Sequence, residues 1–171
     1  MENILDLLIF LIPIYVANSA PVILGGGTPL DLGKTFSDGK RILGKGKTIR
    51  GFIGGVLAGT FMGGLIVFFY QLPYFVGAEQ QFTAAFALSL GTMIGDSLGS
   101  FAKRRMKLDS GKPFWPDTVL FLAVALVFVY PFSNMGLYQP FSLIFFFLLT
   151  VVMHPLTNAL ANKFGLKKVP W

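Results

Sequence analysis

One carboxylate, Asp96, stands in an apolar stretch and is followed at once by a run of charge. The segment from Gly95 to Asp117 reads Gly-Asp-Ser-Leu-Gly-Ser-Phe-Ala-Lys-Arg-Arg-Met-Lys-Leu-Asp-Ser-Gly-Lys-Pro-Phe-Trp-Pro-Asp. Charge inside a membrane is costly and is kept mainly where it does something. Carboxylates beside Lys and Arg are what a divalent cation with a bound polyphosphate requires. On a continuous helix Asp96, Ser100, Lys103 and Lys107 fall at i, i+4, i+7 and i+11, on one face within about 60° of arc. An acid set deep and bases set shallow form a slot for a metal and an anionic ligand. The competing reading for Asp96 is a structural pair with Lys103 or Arg50. For Lys103, Arg104 and Arg105 it is ordinary anchoring at a membrane edge. Asp109 and Asp117 flank Ser-Gly-Lys-Pro, a turn-forming run, and Asp117 stands where it could cap the next helix.

A second constellation runs from Gly25 to Gly51. Its glycines expose N–H groups that can cradle phosphate oxygens, and its Lys and Arg supply countercharge. Gly46-Lys47-Thr48 ends like a nucleotide-binding P-loop, but Arg41 occupies the place of the first glycine, so that motif is excluded. A basic loop resting on anionic lipid is the plainer alternative. Elsewhere, Thr150, His154 and Thr157 share a helical face bordered by Asn158, and Pro155 deprives that helix of one hydrogen bond. A single histidine and no cysteine exclude thiol chemistry and disfavour a zinc centre. Asn18 and Ser19 are expected to face the same polar interior. There is no Gly-x-Ser-x-Gly elbow. Displacement at phosphorus needs none of these; it needs positioning, metal and countercharge.

The elements that must hold these groups are membrane helices. Of 171 residues, 54% are hydrophobic and 13% charged, and mean hydropathy is +0.68, more apolar surface than one soluble core of this size can hide. The chain reads as an all-α integral membrane protein, a single transmembrane domain over residues 1–171. Five apolar stretches are expected to span: Ile4–Leu24, Gly51–Leu72, Phe82–Ala102, Thr118–Tyr138 and Pro140–Asn162. The turn residues Pro131, Ser133, Asn134 and Gly136 could shorten the fourth, and four helices with a re-entrant segment is the competing count. The first stretch lacks a basic leader and an Ala-x-Ala site, so it is expected to be retained.

All 14 Lys and Arg fall in three places: six in Lys34–Arg50, five in Lys103–Lys112, three in Lys163–Lys168. With five spans these share one side, and the positive-inside rule makes that side cytoplasmic and the N-terminus external. Glycine recurs every fourth residue at 51, 55, 59 and 63 and at 91, 95 and 99. Such stripes let helices approach closely, most simply within one chain, alternatively across a homodimer seam.

The order Asp96, Ser100-x-x-Lys103-Arg104, Lys107-x-Asp109 and Asp117 resembles the signature of the membrane CTP:phosphatidate cytidylyltransferases, the CDP-diacylglycerol synthases. The chain lacks that family's His-Gly-Gly and is shorter than its bacterial members. Over almost its full length it looks closer to the archaeal branch, the CDP-archaeol synthases, through Gly-Gly-Gly-Thr-Pro-Leu-Asp at Gly25, Gly-Lys-Thr-Ile-Arg-Gly at Gly46 and Trp-Pro-Asp at Trp115. The resemblance implies a five-helix cytidylyltransferase. It would take CTP and an unsaturated ether-lipid phosphate, digeranylgeranylglyceryl phosphate, to CDP-archaeol and pyrophosphate, with magnesium as cofactor. On this reading Asp96, Lys103 and Arg104 are catalytic. Asp96 with Asp109 or Asp117 holds Mg2+. Lys45, Lys47, Thr48, Arg50, Ser97, Ser100 and Lys112 bind nucleotide phosphates. No nucleic-acid partner is expected. The rival classes are a small transporter or lipid flippase, for which no inverted repeat is visible, and a plain membrane anchor. A CDP-alcohol phosphotransferase is excluded because Asp38-Gly39-Lys40-Arg41-Ile42-Leu43 lacks the end of that motif.

Overall fold

The computed structural model describes residues 3–108 and 114–166, the side chain of Trp115 excepted; Asp109 and Lys112 lie outside the described residues. It is all-helical: α1 Ile4–Leu24, α2 Ile49–Phe69, α3 Gly77–Arg105, α4 Trp115–Val129 and α5 Pro140–Lys163. Helices α1 and α2 start on side-chain caps. Asn3 accepts from the Leu5 N–H at 3.0 Å, and Thr48 accepts from the Gly51 N–H at 3.1 Å.

The first and fifth helices match the expected spans closely. The fourth does not reach Tyr138. It ends at Val129 and gives way to two 3₁₀ turns, Tyr130–Phe132 and Met135–Tyr138. Pro131 has no N–H to continue the helix, and Asn134 accepts from the Gly136 N–H at 2.9 Å, closing the turn. Among the described residues three helices, α1, α2 and α5, are long and apolar enough to cross a membrane; α4 with its first 3₁₀ turn is a shorter apolar element. The longest helix, α3, is less apolar because it lies between α1, α2 and α4 and meets protein where the others meet their surroundings.

Both glycine stripes are spent inside the chain. A Cβ at Gly59 would come within 2.7 Å of the Pro13 carbonyl oxygen and would also strike the Ser89 hydroxyl, so α2 wedges between α1 and α3. At Gly91 and Gly95 the obstructing atoms are the Cα atoms of Ala125 and Phe121, at 2.8 and 2.6 Å, which sets the close crossing of α3 on α4. Gly59→Leu is therefore expected to lower thermal stability by several kcal/mol, as overpacked cores do, read as a fall in Tm in detergent.

The two ends of the bundle differ. At one, the buried Asp6 accepts from the Tyr70 hydroxyl at 2.6 Å, and Gln81 bonds the backbone of Tyr70 and Leu72. At the other gather the loop 25–48 with the first turn of α2, the C-terminal turn of α3 with the residues just after it, and the C-terminal end of α5, which together bear every described Lys and Arg. The central core is Leu7, Phe10, Ile14, Leu88, Phe121 and Phe146, with Phe10 and Phe146 stacked at 5.2 Å.

Candidate active site

The loop between α1 and α2 is ordered, and Asp31 is the reason. Its fully buried carboxylate accepts from the N–H groups of Gly33, Leu43 and Gly44, each at 3.0 Å, and pairs with the Arg41 guanidinium. Burial alone would raise the Asp31 pKa. The Arg41 charge and the N–H groups of Gly44, Leu43 and Gly33 outweigh it and hold the carboxyl well below the usual carboxylate range. Antiparallel backbone bonds close the loop on itself: Leu30 N–H to Lys47 O at 2.8 Å and Ile49 N–H to Thr28 O at 3.0 Å. Gly26 and Gly27 adopt φ of 100° and 75°, which side-chain-bearing residues rarely do, and let the chain turn sharply off α1. Thr48 uses its hydroxyl oxygen twice, accepting from Gly26 N–H at 3.2 Å as well as from Gly51 N–H.

This loop is clasped to α3. Arg105 pairs with Asp38 at 3.0 Å and donates to the Arg41 carbonyl at 2.7 Å. Its guanidinium packs on the edge-to-face pair of Phe36 and Phe101, 4.7 and 4.9 Å from their centroids. The clasp brings Lys47 to Asp96: Lys47 Nζ stands 2.6 Å from Asp96 Oδ2, both side chains partly exposed. Two residues far apart in sequence thus meet at one end of the bundle.

Asp117 enters from α4. Phe114, not Asp117, occupies the cap position; Asp117 sits in the first turn, where a negative charge complements the helix dipole. Its carboxylate lies over Gly99, where a side chain would collide with it, and it pairs with Lys103. Asp96, Ser100 and Lys103 keep the expected helical spacing on α3. Lys107 does not continue that face, because the helix ends at Arg105 and Lys107 takes a left-handed φ of 59°. It turns instead toward the loop. There Lys40, Arg41, Lys45, Arg104 and Lys107 line a cleft of about 410 Å³, and the Nε of Arg104 is buried without a hydrogen-bond partner among the described residues.

Of the phosphate-binding candidates, Lys45 faces that cleft, beside the catalytic candidate Arg104, and Lys47 faces Asp96. Arg50 lies exposed along Gly27, and Ser97 donates to its own helix at Met93 O, 2.8 Å away. Ser100 is half-buried on α3, one turn beyond Asp96. Lys40, Arg41 and Asp31 were not singled out from sequence. The Asp-x-Gly spacing at Asp31 and Gly33 carries the one signal that could have found the last, since Asp bonds a backbone N–H two residues on in such turns.

The candidate metal ligands are hard carboxylate oxygens on neighbouring turns of α3 and α4. Magnesium takes one or two carboxylates and completes its shell with water and phosphate, so Asp96 and Asp117 are the right donors in kind and number. Among the described residues no cluster of three or more such ligands forms. Where α5 packs on α1 and α4, the buried Thr150 bonds Tyr15 at 2.9 Å, and the His154 ring lies tilted against Phe121 with centroids 5.4 Å apart. Asn18 and Ser19 line the same groove as Thr157 and Asn158, but that groove is open and mainly apolar, and Ser19 is exposed on it where a polar interior was expected.

The CarS-like family of CDP-archaeol synthases matches residues 1–171, the whole chain. The chain belongs to that family. CDP-archaeol synthase of Pyrococcus horikoshii is 44% identical over 100% of this chain and 99% of its own length, and that of Methanocaldococcus jannaschii is 41% identical over 95% and 94%. A solved structure of an intramembrane enzyme for archaeal membrane lipids biosynthesis superposes with a TM-score of 0.78 at 30% identity, covering 92% of this chain and 96% of that one. With its apolar helices, membership in this family makes the chain a multi-pass membrane protein.

Proposed function

We propose that this chain is a CTP:lipid-phosphate cytidylyltransferase that forms CDP-archaeol from an archaeal ether-lipid phosphate. The observation that carries the reading is the pairing of two acids from α3 and α4 with two lysines, Lys47–Asp96 and Lys103–Asp117, beside a basic cleft. Without ligand the opposite charges satisfy one another. With ligand the lysines turn to phosphate oxygens and the carboxylates to a metal.

The triphosphate of CTP lies against Lys45, Arg104 and Lys107 in the cleft, with Lys40 and Arg41 behind. Lys47 and Lys103 reach the reacting phosphates. An oxygen of the lipid phosphate attacks the α-phosphorus of CTP in line, the bond to the β-phosphate oxygen breaks, and pyrophosphate leaves. The two substrates repel, and ordered positive charge offsets that repulsion before the oxygen can approach. Asp96 and Asp117 would hold Mg2+, which would neutralise charge developing on the phosphate oxygens. The isoprenoid chains lie in the apolar groove between α1 and α5, which opens at the same end of the bundle. By the positive-inside rule we assign that end to the cytoplasm, with five spans and an external N-terminus.

The test is magnesium-dependent transfer of label from α-labelled CTP to digeranylgeranylglyceryl phosphate by purified protein in detergent. Labelled CDP-lipid with stoichiometric pyrophosphate is expected; lipid movement across vesicles with no CTP consumed would favour a flippase. Within that assay Gly99→Ala is informative. Its methyl displaces the end of the Asp117 side chain and leaves backbone untouched, so Tm should hold while kcat falls about 10²-fold.

A further inference from the structure

The groove between α1 and α5 consists of two adjoining cavities of about 400 and 380 Å³ that share Val16, Asn18, Ser19 and Thr157. Its walls are otherwise mainly apolar, from Leu8 on α1 to Leu166 beyond α5. Within this wall four polar side chains form one band, and three of them are already engaged. Ser19 donates to the Tyr15 carbonyl at 2.8 Å, Thr157 donates to the His154 carbonyl at 3.0 Å, and Asn158 meets the His154 ring at 3.4 Å. Asn18 has no hydrogen-bond partner among the described residues. A carboxamide inside a membrane helix that no neighbour satisfies is expensive, so it wants a ligand.

The chemistry of the band narrows what that ligand offers. The hydroxyl protons of Ser19 and Thr157 are spent on backbone carbonyls, which leaves the Asn18 NH2 as the uncommitted donor. Asn18 stands six residues before the end of α1, about 9 Å below the basic rim by helix rise. With a lipid phosphate held at the rim, the atoms at that depth are the glycerol oxygens and the first carbons of its chains. An ether oxygen can only accept. We infer that the Asn18 carboxamide donates to a glycerol oxygen of the lipid acceptor and so fixes how deep that substrate sits in the groove. This rests on the lipid-phosphate reading above and adds a specificity residue to it.

Asn18→Leu keeps the volume and the helix but removes the donor, and it suits a membrane better than Asn does. The expected result is a rise of about tenfold in the KM for digeranylgeranylglyceryl phosphate with the KM for CTP unchanged. An unchanged lipid KM, or an equal rise in both, overturns the inference. A second arm does not depend on turnover. A dialkylglycerol phosphate carrying a diazirine beside the glycerol should label segments 15–24 and 153–166, be competed by the unmodified lipid, and label Asn18→Leu less. Labelling confined to the outer faces of α2, at Phe61 or Phe68, or undiminished labelling in the variant, overturns it. A wild-type protein that labels in the groove yet transfers no CMP defeats the cytidylyltransferase reading and leaves the groove assignment standing.

Discussion

Asp96→Asn leaves the bundle folded and removes nearly all turnover, a fall in kcat on the order of 10²–10³-fold or more. The fold survives because Asp96 is not a core group. Its side chain is 23% exposed and that of Lys47 is 25% exposed, so their ion pair contributes about 1 kcal/mol or less to stability. Asparagine keeps the shape and can still accept a hydrogen bond from Lys47. What it loses is one of the two negative charges that would hold a divalent ion against two phosphates, and Asp117, which lies over Gly99 and pairs with Lys103, is left as the single proposed carboxylate ligand. The check is initial-rate kinetics with saturating CTP and magnesium, beside a melting curve of the same preparation. A variant with an unchanged Tm and a kcat within threefold of wild type would take Asp96 out of the chemistry.

The side-chain pairs that define the site were only half visible in the sequence. The clustering of Lys and Arg into three segments was visible, and the described parts of those segments do converge on one end of the bundle. That information lies in composition along the chain and needs no tertiary knowledge. The glycine stripes were legible for a related reason, since a small residue every fourth position means a close helix contact wherever it occurs. Their partners were not legible. Nothing in Gly99 announces that the group filling its missing side chain will be Asp117 from another helix. Lys107 shows the opposite failure. Its spacing from Asp96 is helical, but the helix stops at Arg105 and one left-handed residue swings it toward the loop. Helix ends depend on capping and on what the chain must reach next, and periodicity carries neither. The fourth helix was over-extended in the same way, although Pro131 and Asn134 were recognised as turn residues.

The loop itself depends on a residue that touches no substrate. Asp31→Ala is expected to cut kcat/KM for CTP by about 10²-fold or more while leaving the melting of the helices nearly unchanged. Deleting the carboxylate abandons the Arg41 guanidinium and three N–H groups at Gly33, Leu43 and Gly44 at once. Breaking a buried pair from one side costs about 3–5 kcal/mol, and here that cost falls on closure of the loop. With the loop open, Lys45 and Lys47 are no longer delivered to the cleft and to Asp96, because both sit on its return limb. Hydrogen exchange at Leu43 and Gly44 reads the loop directly, and both amides should lose protection in the variant. The pH dependence has a definite sign. The folded-state pKa of Asp31 lies below its unfolded value, so the stabilisation is complete above about pH 4 and is lost as pH falls through the folded-state value. Protection of the two amides, corrected for intrinsic exchange, should therefore be flat from neutrality down to about pH 5 and weaken only in stronger acid. Protection that instead rose on acidification would mean the carboxylate is strained in place. The loop would then be held by the Arg105 clasp, and Arg105→Ala, not Asp31→Ala, would be the variant that separates CTP binding from the integrity of the bundle.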